Sequence, residues 1–291
     1  MTALALVLLA TAPAQPAAPH ADQNPLYKNL LDPGLDVGAK DKVKFPAPTM
    51  PDGLDAAKQT AALKVLIGTD YGYDEFTRKS VVAPQLMKIR DIAGGDPKAP
   101  ARGVDVWFVA YGDAKLLDDD KFLDKLTSAN KGSGGKGGPL TKVELGKRNI
   151  TLKPEDEKRE GYGHFEFDFL EKVRLGGAGH AMWSRNGESV VASAEIDPRF
   201  LNDKDYPNQW RSITKPGGQV KAGDANPWSG AAMYFKITKL AEPAGALFVE
   251  QHIVFAEPTG WFDGANLLRS KLPVAVQENV RTMRKEFQKG K

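Results

Sequence analysis

Leu272, Val276, Val280, Met283 and Phe287 recur at intervals of four, four, three and four residues. That spacing lays five large apolar side chains along one stripe of an α-helix. Burying them is worth roughly 7–15 kcal/mol as an upper estimate, and leaving them in water would invite aggregation. The stripe therefore needs a cover: the protein's own sheet, a partner helix or a membrane surface. Between its members lie Gln277, Glu278, Arg281, Arg284, Lys285 and Gln288. That face is mixed in sign, whereas a membrane-surface helix carries a uniformly basic one. The expectation is that the stripe covers the chain's own sheet, with Pro273 in the first turn of the helix.

The preceding sequence supplies such a sheet. In "GHFEFDFLEKV" Phe165, Phe167 and Phe169 alternate with His164, Glu166 and Asp168, the period-two mark of a strand with one buried face. "TKVELGKRNITL" reads as another strand, and "HAMWSRNGESVVASAEI" contains Asn186-Gly187, the strongest short hairpin signal. "AAMYFKITKL" and "GALFVEQHIVFAEP" form a final hairpin across Glu242 to Gly245. Upstream, "GVDVWFVAYG" has the Val and aromatic content of a strand, and "LLDDDKFLDKLTSAN" reads as a helix with acids at its start. "KGSGGKGGP" reads as a loop. Consecutive hairpins closed by a helix predict an α+β domain over residues 101–291: an antiparallel sheet of about six or seven strands covered by a long C-terminal helix.

The N-terminal third reads differently. Ala3 to Ala10 is a continuous apolar run, and Ala12-Pro13-Ala14 fits a small-residue cleavage site, so residues 1–14 are expected to be a signal peptide and the protein to be exported to periplasm, envelope or medium. The run is too short to span a ~30 Å hydrocarbon core, and no integral membrane span is expected elsewhere. Residues 15–53 carry Pro16, Pro19, Pro25, Pro33, Pro46, Pro48 and Pro51 and read as a leader and linker. Residues 54–100 are expected to be helical: "LDAAKQTAALKVLIG" is rich in Ala and Leu, and "YDEFTRKSVVAPQLMKIRDIAGG" continues past a kink at Pro84.

The final hairpin running into "EPTGWFDGANLLRSKLPVAVQENVRTMRKEF" resembles the ending of START-like (helix-grip) domains. In that family the last strand leads into a long helix lying across an antiparallel sheet, with an apolar cavity between them. The resemblance covers about the last 55 residues. It implies a helix-grip-like fold and a ligand cavity, but it carries no fixed catalytic residues with it.

Chemistry is sparser. The 40 basic and 37 acidic residues nearly balance, which argues against a nucleic-acid binder. With 0 cysteines there is no disulfide, thiol nucleophile or thiolate metal site. No G-x-S-x-G, H-E-x-x-H or phosphate-loop pattern occurs. His164, Glu166 and Asp168 share one strand face, and Glu250 and His252 another; were the two to meet, they could hold a metal or an acid–base pair, but alternation alone also places polar residues there. His180, beside Gly176-Gly177-Ala178-Gly179, reads as a turn residue. Neither a metal nor a cofactor is expected.

The favoured function is non-catalytic binding of a small apolar ligand between sheet and C-terminal helix. Trp261 is expected near the mouth, with Phe235, Phe255, Val276, Val280 and Met283 as lining. Phe165, Phe167, Phe169 and Ile253 hold positions able to face the same space. A filled interior would favour a protein-interaction module instead, and converging carboxylates such as Glu166 and Asp168 a hydrolase.

Overall fold

The computed structural model describes residues 19–37, 41–96, 99–122, 135–261 and 267–289. The expected signal peptide, residues 1–14, lies outside them. One antiparallel sheet of 11 strands organises the chain. Its main path is β1 (Gln85–Asp96), β2 (Ala99–Tyr111), β11 (Ala246–Ala256), β10 (Ala231–Lys239), β6 (Ser189–Ile196), β5 (Val173–Arg185), β4 (Glu160–Phe169) and β3 (Lys136–Pro139). The first part of β5 also pairs with β7 (Gln209–Thr214), which carries the two-residue strands β8 (Lys221–Ala222) and β9 (Asn226–Pro227).

Helices cover both sides. The C-terminal helix, which becomes α6 in this fold (Leu267–Lys289), lies on the face carrying Phe108, Phe235 and Val249. The opposite face, with Trp107, Tyr234, Lys236 and Glu250, is covered by the N-terminal chain: α1 (His20–Gln23), α2 (Pro25–Leu31), an extended strap from residue 41 to 53, α3 (Ala56–Ile67) and α4 (Tyr73–Phe76). Coverage on both sides explains why β2 and β11 read as near-continuous apolar runs. Met50, Leu63, Ile67 and Phe76 pack with Trp107, Tyr111 and Phe248 on the strap side. On the other side Leu272, Val280 and Phe287 of α6 are buried as the stripe requires.

Several expectations need correction. The sheet has 11 strands rather than six or seven, although the architecture remains α+β. The surplus comes from β1 and from short, glycine-rich or two-residue strands whose composition gives no period to read. Residues 54–100 are not a helical region throughout: helices occupy Ala56–Ile67 and Tyr73–Phe76, and Gln85–Asp96 is strand β1. Pro84 does not kink a helix; it stands just before an edge strand, where its missing N–H breaks no ladder bond. Nor are the described residues of the 15–53 stretch a tether, because Asn24, Leu30, Val37 and Met50 are buried. "TKVELGKRNITL" is not a strand but begins with α5 (Lys142–Gly146), started by a capping box in which Thr141 and Glu144 satisfy each other's backbone N–H groups. Of the helix expected after Leu116, residues 120–122 are helical and the remainder lies outside the described residues.

Candidate functional site

Helix α6 and the β10–β11 hairpin do not close completely on each other. Between them is a cavity of about 230 Å³. The sheet contributes Met233, Phe235, Val249 and Gln251, and α6 contributes Asn279, Thr282, Met283, Glu286 and Phe287, with Phe122 at one end. Strand alternation explains the first set, since Met233 and Phe235 on β10 and Val249 and Gln251 on β11 are two-residue neighbours on one face. Helical spacing explains the second, since residues 279, 282, 283 and 286 are three or four apart. The walls are mostly apolar. The polar lining consists of an amide each from Gln251 and Asn279, the Thr282 hydroxyl, and Glu286, whose carboxylate is 2.8 Å from Lys289 Nζ.

Arg284 anchors the helix beside this cavity. Its side chain is 1% exposed, and its guanidinium donates to the carbonyls of Val109 at 2.9 Å, Ala83 at 2.6 Å, Pro84 at 2.8 Å and Val81 at 3.3 Å. The guanidinium also lies 5.4 Å from the Phe108 ring centre. Burial lowers its pKa to about 10, with the Arg78 charge acting in the same direction; it remains a cation at neutral pH. The helical spacing puts Arg284 on the outer face, but the irregular 81–84 segment reaches the helix end and offers carbonyls that a long, forked donor satisfies.

Of the residues expected to line a ligand site, Phe235 and Met283 are on the wall of this cavity. Val280 is buried in the core and Val276 half-buried against it, both away from the cavity lining. Trp261 and Phe255 are elsewhere. Their rings stack at 6.1 Å, and Trp261 also meets Phe169 at 6.0 Å, Trp210 at 6.2 Å and Trp228 at 5.7 Å. This aromatic cluster is dense packing under the β7 branch, not a mouth.

The strap side of the sheet holds buried charge. His252 Nδ1 is 2.8 Å from Asp105 Oδ1, and its Nε2 is 3.4 Å from Glu250. Arg90 Nε donates to Asp105 at 2.6 Å. Glu250 accepts the backbone N–H of Thr49 at 2.6 Å and of Met50 at 3.3 Å. On β10, Lys236 Nζ donates to the Met50 carbonyl and to Asp52, each at 2.7 Å. Burial opposes protonation of His252, but its carboxylate hydrogen bonds outweigh this and raise its pKa. For Asp105 burial pushes upward, while bonds from His252 and Arg90 prevail and lower it. Both His252 nitrogens are occupied and the ring is sealed under the strap, so this cluster fastens the N-terminal chain.

The remaining candidates stay apart. Strand order separates β4 from β11 by β5, β6 and β10, so His164, Glu166 and Asp168 do not meet Glu250 and His252. Asp168 is paired with Arg174 at 2.7 Å, and His164 stacks on Tyr206 at 4.6 Å. His180 is not a turn residue but sits within β5, 2.7 Å from Glu160 and stacked on Tyr162 at 4.4 Å. The neighbouring glycines belong to the same strand because Asn208 is wedged against it: a Cβ on Gly177 would collide with the Asn208 side chain, which accepts the Ala178 N–H at 3.1 Å. Among the described residues no group of three or more His, Asp or Glu side chains could hold a metal ion, and no helix is long and apolar enough to cross a membrane.

Neither a protein-family model nor a curated protein sequence matches the chain. Among solved structures it is similar to an uncharacterized protein from Rhizobium leguminosarum, at 10% identity over 65% of this chain and 97% of that one, with a TM-score of 0.30. A TM-score this low transfers neither fold nor function.

Proposed function

We propose that this protein binds a small molecule with an apolar body in the cavity between α6 and the β10–β11 hairpin, as a non-catalytic binder. The observation carrying this reading is the 230 Å³ space itself, walled by Phe235, Val249, Met283 and Phe287, with Gln251, Asn279, Thr282 and the Glu286 carboxylate as its polar lining. Its size lies between the ~150 Å³ that accommodates benzene and the ~300 Å³ at which drug-sized pockets begin. A ring or a short alkyl chain bearing one hydrogen-bonding group matches both the volume and the lining. The resemblance of the hairpin-to-helix ending to START-like domains supports the same use. The apolar run from Ala3 to Ala10 supports a location outside the cytoplasm.

The test is titration of the full chain with hexanoate and with cyclohexanol, followed by ¹³C-methyl methionine NMR. Met233 and Met283 line the cavity, whereas Met50 and Met182 are buried elsewhere. Saturable shifts confined to Met233 and Met283 are expected. Shifts that never saturate, or that move all four methyl groups alike, overturn the reading.

A further inference from the structure

The strap is held in an unusual way. Over residues 45–51 the sheet residues that grip it reach mainly for its main chain rather than its side chains. Tyr234 Oη donates to the Pro46 carbonyl at 2.8 Å, Lys236 Nζ to the Met50 carbonyl at 2.7 Å, and Glu250 accepts the Thr49 and Met50 N–H groups. Within residues 45–51 one sheet side chain bonds a strap side chain, Trp107 Nε1 to Thr49 Oγ1 at 3.0 Å, and beyond them Lys236, Asn186 and Ser189 hold the Asp52 carboxylate at 2.7 to 2.8 Å. Three of the sheet residues gripping 45–51 sit in one register on adjacent strands, Trp107 opposite Glu250 and Glu250 opposite Lys236, with Tyr234 two residues along β10 on the same face. The gripping charges are themselves buried, Glu250 at 0% and Lys236 at 2% exposure.

Holding a permanent piece of core does not call for buried charges, because well-packed apolar groups of similar volume do this at least as well. Charged and polar groups aimed at backbone N–H and C=O are how a groove takes an extended peptide whose sequence is only partly specified. The strap has the matching character. Pro46, Pro48 and Pro51 keep it extended, with carbonyls turned to the sheet rather than bonded within the strap, while Phe45 and Met50 are the two buried anchors of residues 45–51, Val43 is buried just before them, and Ala47 is exposed.

We propose that this face of the sheet is a peptide-binding groove, that residues 45–51 are its built-in occupant, and that it accepts from another chain an extended peptide of the same kind: an aromatic anchor, alternate prolines and a second apolar anchor five residues on. The groove lies on the opposite side of the sheet from the α6 cavity, so the two sites stand or fall separately.

The test uses the full chain with a weakened occupant. Met50→Gly removes one anchor and leaves every gripping residue in place. A fluorescent peptide with the sequence of residues 43–52 should bind this variant saturably. Binding to the unaltered protein should be about tenfold weaker or less, because there the groove is free for only a fraction of the time. The same peptide N-methylated at its Thr and Met should lose about tenfold or more in affinity, each N–H to a charged acceptor being worth roughly that. A folded Met50→Gly chain that binds no peptide, or one that binds the N-methylated peptide equally well, overturns the proposal. If Met50→Gly does not fold, hydrogen exchange in the unaltered protein decides. Thr49 and Met50 amides exchanging about a hundredfold faster than those of β10 and β11 mark a strap that opens locally, and exchange at the same rate as the sheet refutes it.

Discussion

Arg284 Nε donates to the Val109 carbonyl at 2.9 Å, joining the C-terminal helix directly to the backbone of β2. The same guanidinium takes up three further carbonyls from residues 81, 83 and 84. One side chain thus ties the helix, a central strand and the turn leading into β1. Arg284→Met removes the donors and leaves buried carbonyls without partners. A loss of about 3–5 kcal/mol in urea unfolding is expected, the range for breaking a buried charged contact. Arg284→Lys should recover only part of it, since an ammonium cannot reproduce the planar fork. A loss below 1 kcal/mol for Arg284→Met would show the contacts to be incidental.

The stripe on α6 makes a second prediction. Val280 is 3% exposed, whereas Glu278 on the same helix is 62% exposed. Val280→Asp should destabilise the protein by several kcal/mol because it buries a carboxylate among apolar groups. Glu278→Ala should change it by about 0.5 kcal/mol or less. Equal melting temperatures for the two variants would mean that α6 does not contribute to the fold.

His20 links strap-side stability to pH. It lies between Ser184 and Ser189 at 2.8 and 2.7 Å, and burial, partly offset by Asp52, lowers its pKa from 6.5 to about 4. Between those two values the unfolded chain is protonated at this site and the folded one is not, so stability falls as pH falls through that window. The full effect is about 3 kcal/mol. Denaturant unfolding at pH 7 and pH 4.5 should show a larger loss for the unaltered protein than for His20→Gln, and parallel losses would contradict the assignment.

His252 has the opposite sign. Its folded-state pKa is raised, because the Asp105 and Glu250 contacts outweigh burial. The stabilisation is therefore fully present below about pH 6.5, the unfolded value, and is lost as pH rises through the folded value. The stability difference between the unaltered protein and His252→Gln should shrink on going from pH 6 to pH 9. A difference that grows over that range would place the neutral imidazole in the fold.

Elements governed by local periodicity were legible in the sequence. The α6 stripe from Leu272 to Phe287 and the β10–β11 hairpin are legible because burial repeats along each with a single period, although the helix begins at Leu267, so Pro273 lies inside it rather than in its first turn. Phe235 and Met283 followed from those periods, as each occupies the inward position of its element. Gln251 and Asn279 were missed because a polar side chain on an inward position looks like an irregularity of the pattern. The strap was misread for a different reason. Its prolines erase any period, and what fixes it are Glu250 and Lys236, some 200 residues away. Trp261 follows the last strand outside any regular element, so no spacing rule could assign its neighbours. The Thr141–Glu144 capping box was present in the sequence as a helix start and was outweighed by the β-branched residues around it.

Isothermal titration of hexanoate and cyclohexanol into two proteins tests most directly whether the α6 cavity takes a small molecule. Thr282 lines the cavity and is exposed, and its hydroxyl donates within the helix, to the Glu278 carbonyl at 2.9 Å. Thr282→Trp should therefore fill the space without disturbing the sheet. Saturable binding of at least one probe to the unaltered protein is predicted, weakened about tenfold or more in Thr282→Trp at an unchanged melting temperature. Absence of saturable binding to the unaltered protein, or undiminished binding to Thr282→Trp, would contradict the account.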